Sequence, residues 1–275
     1  MSDFIKSFRS TNQWLLLAWY DIRQRYRRSV LGPFWITLST AIMILALGYL
    51  WTHIFKVDIP TFLPFFAAGT IMWGFISAQI NEACSGFSQF EGYIRQINLP
   101  LPVYLLRLWA RNLIFLAHNF VIMIGVYIYL GGAVKPLIGQ FVLGFLLLSY
   151  TLLMLSVPIA YLCARFRDIP PIIQNIMQIV YFLTPIFWQP HLLPVEKSYV
   201  TGNNPFFHAL EIVRGPLTGH APQMVSWYWM IASAVVPIMA RRRRTRRCMA
   251  MADPMPAKMM RPTAVPNIAK MMRSI

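Results

Sequence analysis

The strongest constraint on the fold is the junction between a basic stretch and a long apolar run. Residues 21–35 read DIRQRYRRSVLGPFW, and the segment from Phe34 to Phe55 then contains no Asp, Glu, Lys or Arg over about 22 residues. As an α-helix rising 1.5 Å per residue, this run would be roughly 33 Å long, enough to cross the ~30 Å hydrocarbon core of a bilayer. Because basic side chains are retained on the cytoplasmic side, the junction predicts a cytoplasmic amino terminus.

The composition supports an integral membrane protein. Of the 275 residues, 57% are hydrophobic and only 12% are charged, whereas charged residues make up about 25% of a soluble domain. The net charge of +16 is concentrated at the two ends and in the short connectors between apolar runs. That distribution fits membrane orientation and contact with lipid headgroups, so we expect membrane lipids and no nucleic acid among the partners.

The hydropathy pattern predicts an all-α membrane fold with about six transmembrane helices and both termini in the cytoplasm. Residues 1–33 are predicted to form an amphipathic interface helix, because their apolar residues recur at three- and four-residue steps. A first packed helix with a solvated basic face is the alternative. The excess of Arg and Lys in the inner connectors agrees with this orientation. The six predicted spans are Phe34–Phe55, Phe65–Ile80 with a polar continuation, Val103–Tyr129, Leu137–Ala164, Ile172–Trp188 and Met224–Met239.

The remaining segments are predicted to be connectors and a tail. Lys56–Pro64 is predicted to be an outer loop, and Gly131 and Gly132 a tight turn. The transmembrane domain then covers residues 34–240, with an outer connector at 189–223. Residues 241–275 are rich in Met, Arg and Pro, which predicts a disordered basic tail. A change of reading frame near Pro237 is an alternative origin of that tail.

Motifs that would indicate an enzyme are missing from the sequence. No Gly is followed by Lys, so there is no GxxxxGK[ST] phosphate loop, and neither HExxH nor GxSxG occurs. The five histidines and three cysteines have no metal-ligand spacing. We therefore expect no catalytic residue, no metal and no cofactor in this chain.

Polar residues at membrane depth are the remaining candidates for function. Charged groups in a bilayer cost a few kcal/mol each, so they should face the interior of the bundle and pair. They either form hydrogen bonds that hold helices together or line a polar path, and the sequence leaves both interpretations open. These residues are Glu82, Arg107, Arg111, Asn112, His118 and Asn119. For Arg107, at the inner end of its span, extension of the side chain to the headgroup level is the alternative.

Several ordered motifs resemble one known family. They are DIRQRYRRSVLGPFW, INEACSGFSQFEGYIRQINLPLP, RNLIFLAHN, ARFRDIPPIIQNIMQIVYFLTPIFW and NPFFHALEIVRGPLTG. Together, from about Trp14 to Gly219, they resemble the permease subunit of ABC type-2 polysaccharide exporters, the Wzm-like proteins that export O-antigen, capsule or teichoic acid chains.

The resemblance implies a homodimer in the bacterial inner membrane that binds two copies of a separate ABC ATPase subunit. ATP and Mg would be bound by that subunit, and the substrate would be a polysaccharide on a lipid pyrophosphate carrier. The residues that the resemblance places in contact with the ATPase subunit are Glu91, Gly92, Tyr93, Arg95, Arg165, Arg167 and Asp168. Those facing the lipid or its pyrophosphate are Arg23, Arg25, Arg27 and Arg28. Those of the outer gate are Pro205, Glu211, Arg214 and Pro216.

Two other classes of function are weighed against this one. An intramembrane lipid or sugar transferase would use Glu82 or Asp168 as acid or base, but only nine acidic residues occur and none form a paired metal-binding motif. A proton-coupled carrier would use Glu82 as its proton site. Such carriers commonly contain two related halves, and no internal repeat is visible.

Overall fold

The computed structural model describes residue 7 and residues 11–27, 34–90, 99–132, 134–190 and 199–235. Within these ranges all regular secondary structure is helical, which confirms the all-α prediction. The helices are α1 (Thr11–Tyr26), α2 (Phe34–Phe55), α3 (Ile59–Ser85), α4 (Pro102–Tyr129), α5 (Ile138–Arg165), α6 (Ile169–Leu183), α7 (Tyr199–Gly202), α8 (Pro205–Leu217) and α9 (Met224–Val235).

Four of the described helices, α2 to α5, are long and apolar enough to cross a membrane. Helix α6 begins before the predicted fifth span Ile172–Trp188 and ends within it, and α9 lies within the predicted sixth span; both helices are shorter than those spans. The chain is therefore a multi-pass membrane protein, and the orientation of its termini stays a prediction. The predicted tail at residues 241–275 lies outside the described residues.

Helix α3 lies at the centre of the bundle and contacts α2, α4, α5, α6 and α8. In its most apolar stretch, 72% of the residues are buried. Small residues at Ala67, Ala68 and Gly69 let neighbouring helices approach closely, while Phe66 and Met72 fill the space between them. The other helices therefore take their positions from α3.

Helix α3 begins earlier than the prolines suggest. The predicted loop Lys56–Pro64 is wrong beyond Asp58, because the helix starts at Ile59 and contains Pro64. Pro60 occupies the first turn, where a helix has no intrahelical acceptor for its N–H groups, so the missing donor costs little. Farther along, α3 continues through its polar end to Ser85, as predicted.

Helix α1 packs on α4 by a line of residues at four-residue steps, namely Trp14, Ala18 and Ile22, all less than 7% exposed. Trp19, in contrast, is 57% exposed. Helix α1 therefore has one packed face and another apolar face that is exposed. It combines features of the predicted interface helix with features of the alternative, a first packed helix. It contacts the bundle and also offers apolar surface to the membrane interface.

Helix α8 is held closely against α4 and α5. The Tyr127 hydroxyl donates to the Leu217 carbonyl at 2.7 Å, and the Leu137 N–H donates to the Pro216 carbonyl at 2.8 Å. Gly144 of α5 lies so close to α8 that a Cβ atom there would be 2.3 Å from the Ile212 carbonyl oxygen. The turn before α5 is formed by Gly131 and Gly132 with positive φ, which confirms the predicted tight turn.

Candidate functional site

Four charged residues from three helices, two buried arginines and two partly exposed acids, form a group that we call the ionic cluster: Asp21 of α1, Glu82 of α3, and Arg107 and Arg111 of α4. The Arg107 guanidinium donates two hydrogen bonds to the Asp21 carboxylate, with Nε to Oδ2 at 2.6 Å. Arg111 Nη2 lies 2.9 Å from Glu82 Oε2, and its Nη1 lies 3.6 Å from Asp21 Oδ2. Two acids thus neutralise two bases within the bundle.

Helical spacing explains how the ionic cluster assembles. Arg107 and Arg111 are four residues apart, so both project from the same face of α4. Asp21 follows Ala18 by three residues, which places it on the face of α1 that packs on α4. Both arginine side chains are less than 9% exposed. Because an unpaired charge in this setting would be strongly unfavourable, the four groups depend on one another.

Aromatic rings extend the ionic cluster toward the connector after α3. The Arg107 guanidinium lies over the Phe90 ring, 4.4 Å from its centroid. That ring stacks on Tyr104 with the centroids 5.5 Å apart. Arg107 therefore contacts α1 through its N–H groups and the connector through the cation–π contact with Phe90.

A chain of amide and hydroxyl groups crosses the bundle beside the ionic cluster. The side-chain amide Nδ2 of Asn112 donates to Oε1 of Gln79 at 3.0 Å, and Nε2 of Gln79 donates to the Ser156 hydroxyl at 2.9 Å. All three residues are buried. These bonds join α4, α3 and α5, which agrees with hydrogen bonding between helices.

The predicted polar set divides into two parts in the structure. Glu82, Arg111 and Asn112 are brought together by the contacts just described. His118 is bonded instead through Nδ1 to the Ile114 carbonyl of its own helix at 2.8 Å, and the buried Oδ1 of Asn119 has no hydrogen-bond partner among the described residues. The ring of His118 meets Phe34 of α2, with centroids 6.0 Å apart.

A second buried ion pair lies at the opposite end of the bundle. Arg214 of α8 is 1% exposed, donates to the Pro185 carbonyl after α6, and pairs with Glu211 at 2.5 Å. Its guanidinium lies 4.0 Å from the centroid of the Phe65 ring. Of the other two residues of the predicted outer gate, Pro205 is exposed and Pro216 is buried.

The turn between α5 and α6 carries Arg165, Arg167 and Asp168, which are all exposed. A ring contact between Phe87 and Tyr161, with centroids 5.1 Å apart, places the last turns of α5 beside the end of α3. The turn therefore lies at the same end of the bundle as the ionic cluster.

The other predicted surface residues are described only in part. Arg23 of α1 and Arg27, which directly follows α1, are exposed. The remaining ones lie outside the described residues or have undescribed side chains; they are Arg25, Arg28, Glu91, Gly92, Tyr93 and Arg95.

Sequence reasoning missed the roles of Asp21, Gln79 and Ser156. A signal for Asp21 existed in the charge balance, because two arginines at membrane depth need two acids and only nine acids occur in the chain. Among the described residues, no three His, Cys, Asp or Glu side chains are grouped so that they could hold a metal ion.

Known proteins identify the family. Residues 12–217 match the family described as ABC-2 type transporter. An O-antigen export system permease protein RfbA of Myxococcus xanthus is 25% identical over 182 residues, covering 65% of this chain and 68% of that protein. A protein of the same name from Klebsiella pneumoniae is 21% identical over 188 residues, covering 67% and 72%. These matches confirm the resemblance found in the sequence motifs, and the chain belongs to the ABC-2 type transporter family as a membrane permease.

Proposed function

We propose that this chain is the transmembrane subunit of an ABC exporter that moves a lipid-linked polysaccharide across the bacterial inner membrane. A separate ABC ATPase subunit, in two copies, drives a homodimer of this chain and binds ATP and Mg. The observation that carries the proposal is the family match, which runs from α1 through the end of α8.

The substrate class rests on the names of the relatives, which are O-antigen export permeases. The exposed Arg23 of α1 and Arg27 directly after it support this class, because guanidinium groups at headgroup level attract phosphate oxygens. Anionic lipids offer the same chemistry, so these arginines also orient α1 on the membrane. Capsular polysaccharide and related polymers belong to the same substrate class.

The exposed turn Arg165–Asp168 supports contact with the ATPase subunit. It joins two helices without a long loop, so a force applied to the turn acts on α5 and α6 directly. Residues 91–98 follow the end of α3 and are proposed to meet the same subunit. At the opposite end, α8 is proposed to form part of the exit gate, with Arg214 and Glu211 fixing its position.

The experiment is a gene deletion followed by reconstitution. Cells lacking the chain should accumulate the polysaccharide in the cytoplasm, and the chain expressed together with its ABC ATPase subunit should restore export. The purified chain alone should hydrolyse no ATP, while the complex should hydrolyse it. ATP hydrolysis or sugar transfer by the chain alone would contradict the proposal.

The same cells distinguish an ATP-driven exporter from a proton-coupled carrier. Export should persist when the proton gradient is dissipated and ATP is maintained. Export that stops under those conditions would favour the carrier. In the structure Glu82 is paired with Arg111, and no contact of the described residues specifically favours a transferase or a carrier.

A further inference from the structure

We propose that Arg107 is a positioning residue that makes α1 and the connector after α3 move as one unit. The inference rests on the proposed function, since it concerns how motion of the ATPase subunit reaches the membrane helices. It assigns to Arg107 and Phe90 a role in coupling.

The contact with α1 is directional. Arg107 holds Asp21 with two N–H groups in one plane, and this fork fixes both the distance and the angle between the two side chains. A lysine would supply the charge without the fork. Asp21 is the eleventh of the 16 residues of α1, so a displacement of its backbone displaces the helix around it.

The contact with the connector uses a different part of the same side chain. Phe90 is 3% exposed, the Arg107 Cζ lies over its ring, and the same ring stacks on Tyr104. The ring thus contacts both a cation and an aromatic ring of α4. Phe90 directly precedes residues 91–98, the segment proposed to meet the ATPase subunit.

The two contacts are present together: Nε and Nη2 of Arg107 hold the Asp21 carboxylate while its Cζ lies 4.4 Å from the Phe90 centroid. Arg111 is paired with Glu82 at 2.9 Å and lies farther from Asp21, so Arg107 remains the main partner of Asp21. A displacement of Phe90 that preserves the stacking therefore carries Arg107, and with it Asp21 and α1.

A purely structural ion pair makes a different prediction. It would need a positive charge at residue 107 and an acid at residue 21, and it would be indifferent to the ring at residue 90. Phe87 offers a matched control, because it is a buried aromatic residue of the same connector that contacts Tyr161 instead.

The test uses the complete complex of this chain with its ABC ATPase subunit. Three variants are compared with the wild type: Phe90→Leu, Arg107→Lys and the control Phe87→Leu. Assembly is measured by copurification, ATP hydrolysis on the purified complex, and export by the amount of surface polysaccharide. We expect Phe90→Leu and Arg107→Lys to assemble and hydrolyse ATP within about twofold of the wild type while export falls at least about tenfold, and Phe87→Leu to export within about twofold.

Three results would overturn the inference. The first is export by Phe90→Leu at the level of Phe87→Leu, and the second is normal export by Arg107→Lys. The third is loss of assembly in both variants with the control intact, because this would show that Arg107 is needed for folding instead of coupling. A wild-type complex that hydrolyses ATP without exporting polysaccharide would instead refute the proposed function.

Discussion

The close approach of α5 and α8 at Gly144 gives a quantitative prediction. In Gly144→Ala the new Cβ atom would lie 2.3 Å from the Ile212 carbonyl oxygen, whereas real Cβ atoms essentially never come within 3.0 Å of another atom. The helices must therefore separate by at least about 0.7 Å, in an interior packed too densely to absorb such a shift. The obstacle is backbone of α8, which cannot rotate away as a flexible side chain would.

The expected loss of stability follows from two opposing effects. Overpacking lowers the free energy of unfolding by about 1–3 kcal/mol, whereas replacing Gly by Ala within a helix raises it by about 0.5–1 kcal/mol. We expect Gly144→Ala to lower the free energy of unfolding by about 1–2 kcal/mol. Gly139→Ala is the control, because it lies in α5 with nothing within 4 Å of its added Cβ, and it should be neutral or slightly stabilising.

Equilibrium unfolding in mixed detergent micelles with increasing dodecyl sulfate measures both variants, with helix content as the signal. The free energies of unfolding of the two variants should differ by about 1–3 kcal/mol, since the alanine gain favours Gly139→Ala and is outweighed in Gly144→Ala. Coincident curves would refute the packing of α8 against α5.

Two further predictions concern buried polar groups. In the same detergent unfolding assay, Gln79→Leu should lower the free energy of unfolding by about 1–2 kcal/mol, because Asn112 and Ser156 both lose a hydrogen-bond partner. The control Gln89→Leu changes an exposed residue and should have no such effect. Arg214→Met should lower the free energy of unfolding by about 2–4 kcal/mol, because Glu211 and the Pro185 carbonyl lose their donor. Arg214→Lys should lower it by less. Equal stability of Arg214→Met and wild type would contradict the pairing.

The spans could be predicted from the sequence because hydropathy is a local property. The first span, α2, runs from Phe34 to Phe55 as predicted, and α4 and α5 agree with their predicted bounds within about two residues. The predicted start of α3 was wrong because a proline in the first turn of a helix cannot be told, from the sequence, from a proline that ends a helix.

The ionic cluster could be predicted only in part. Glu82 and Arg111 stand out because charges within apolar runs are costly and need partners. Asp21 does not stand out, since it belongs to a segment predicted to lie at the membrane surface, where an acid is solvated. Its partner Arg107 is 86 positions away, and the pairing arises from the packing of α1 on α4, which no local pattern specifies.

The side of the membrane on which the α5–α6 turn lies tests the central claim most directly. In a background without the native cysteines, single cysteines at Arg167→Cys and Lys135→Cys occupy turns at opposite ends of α5. A membrane-impermeant thiol reagent applied to intact spheroplasts should label Lys135→Cys and not Arg167→Cys, and the reverse should hold in inverted membrane vesicles. Labelling of Arg167→Cys from the outside would contradict the claim, because no cytoplasmic ATPase could reach that turn.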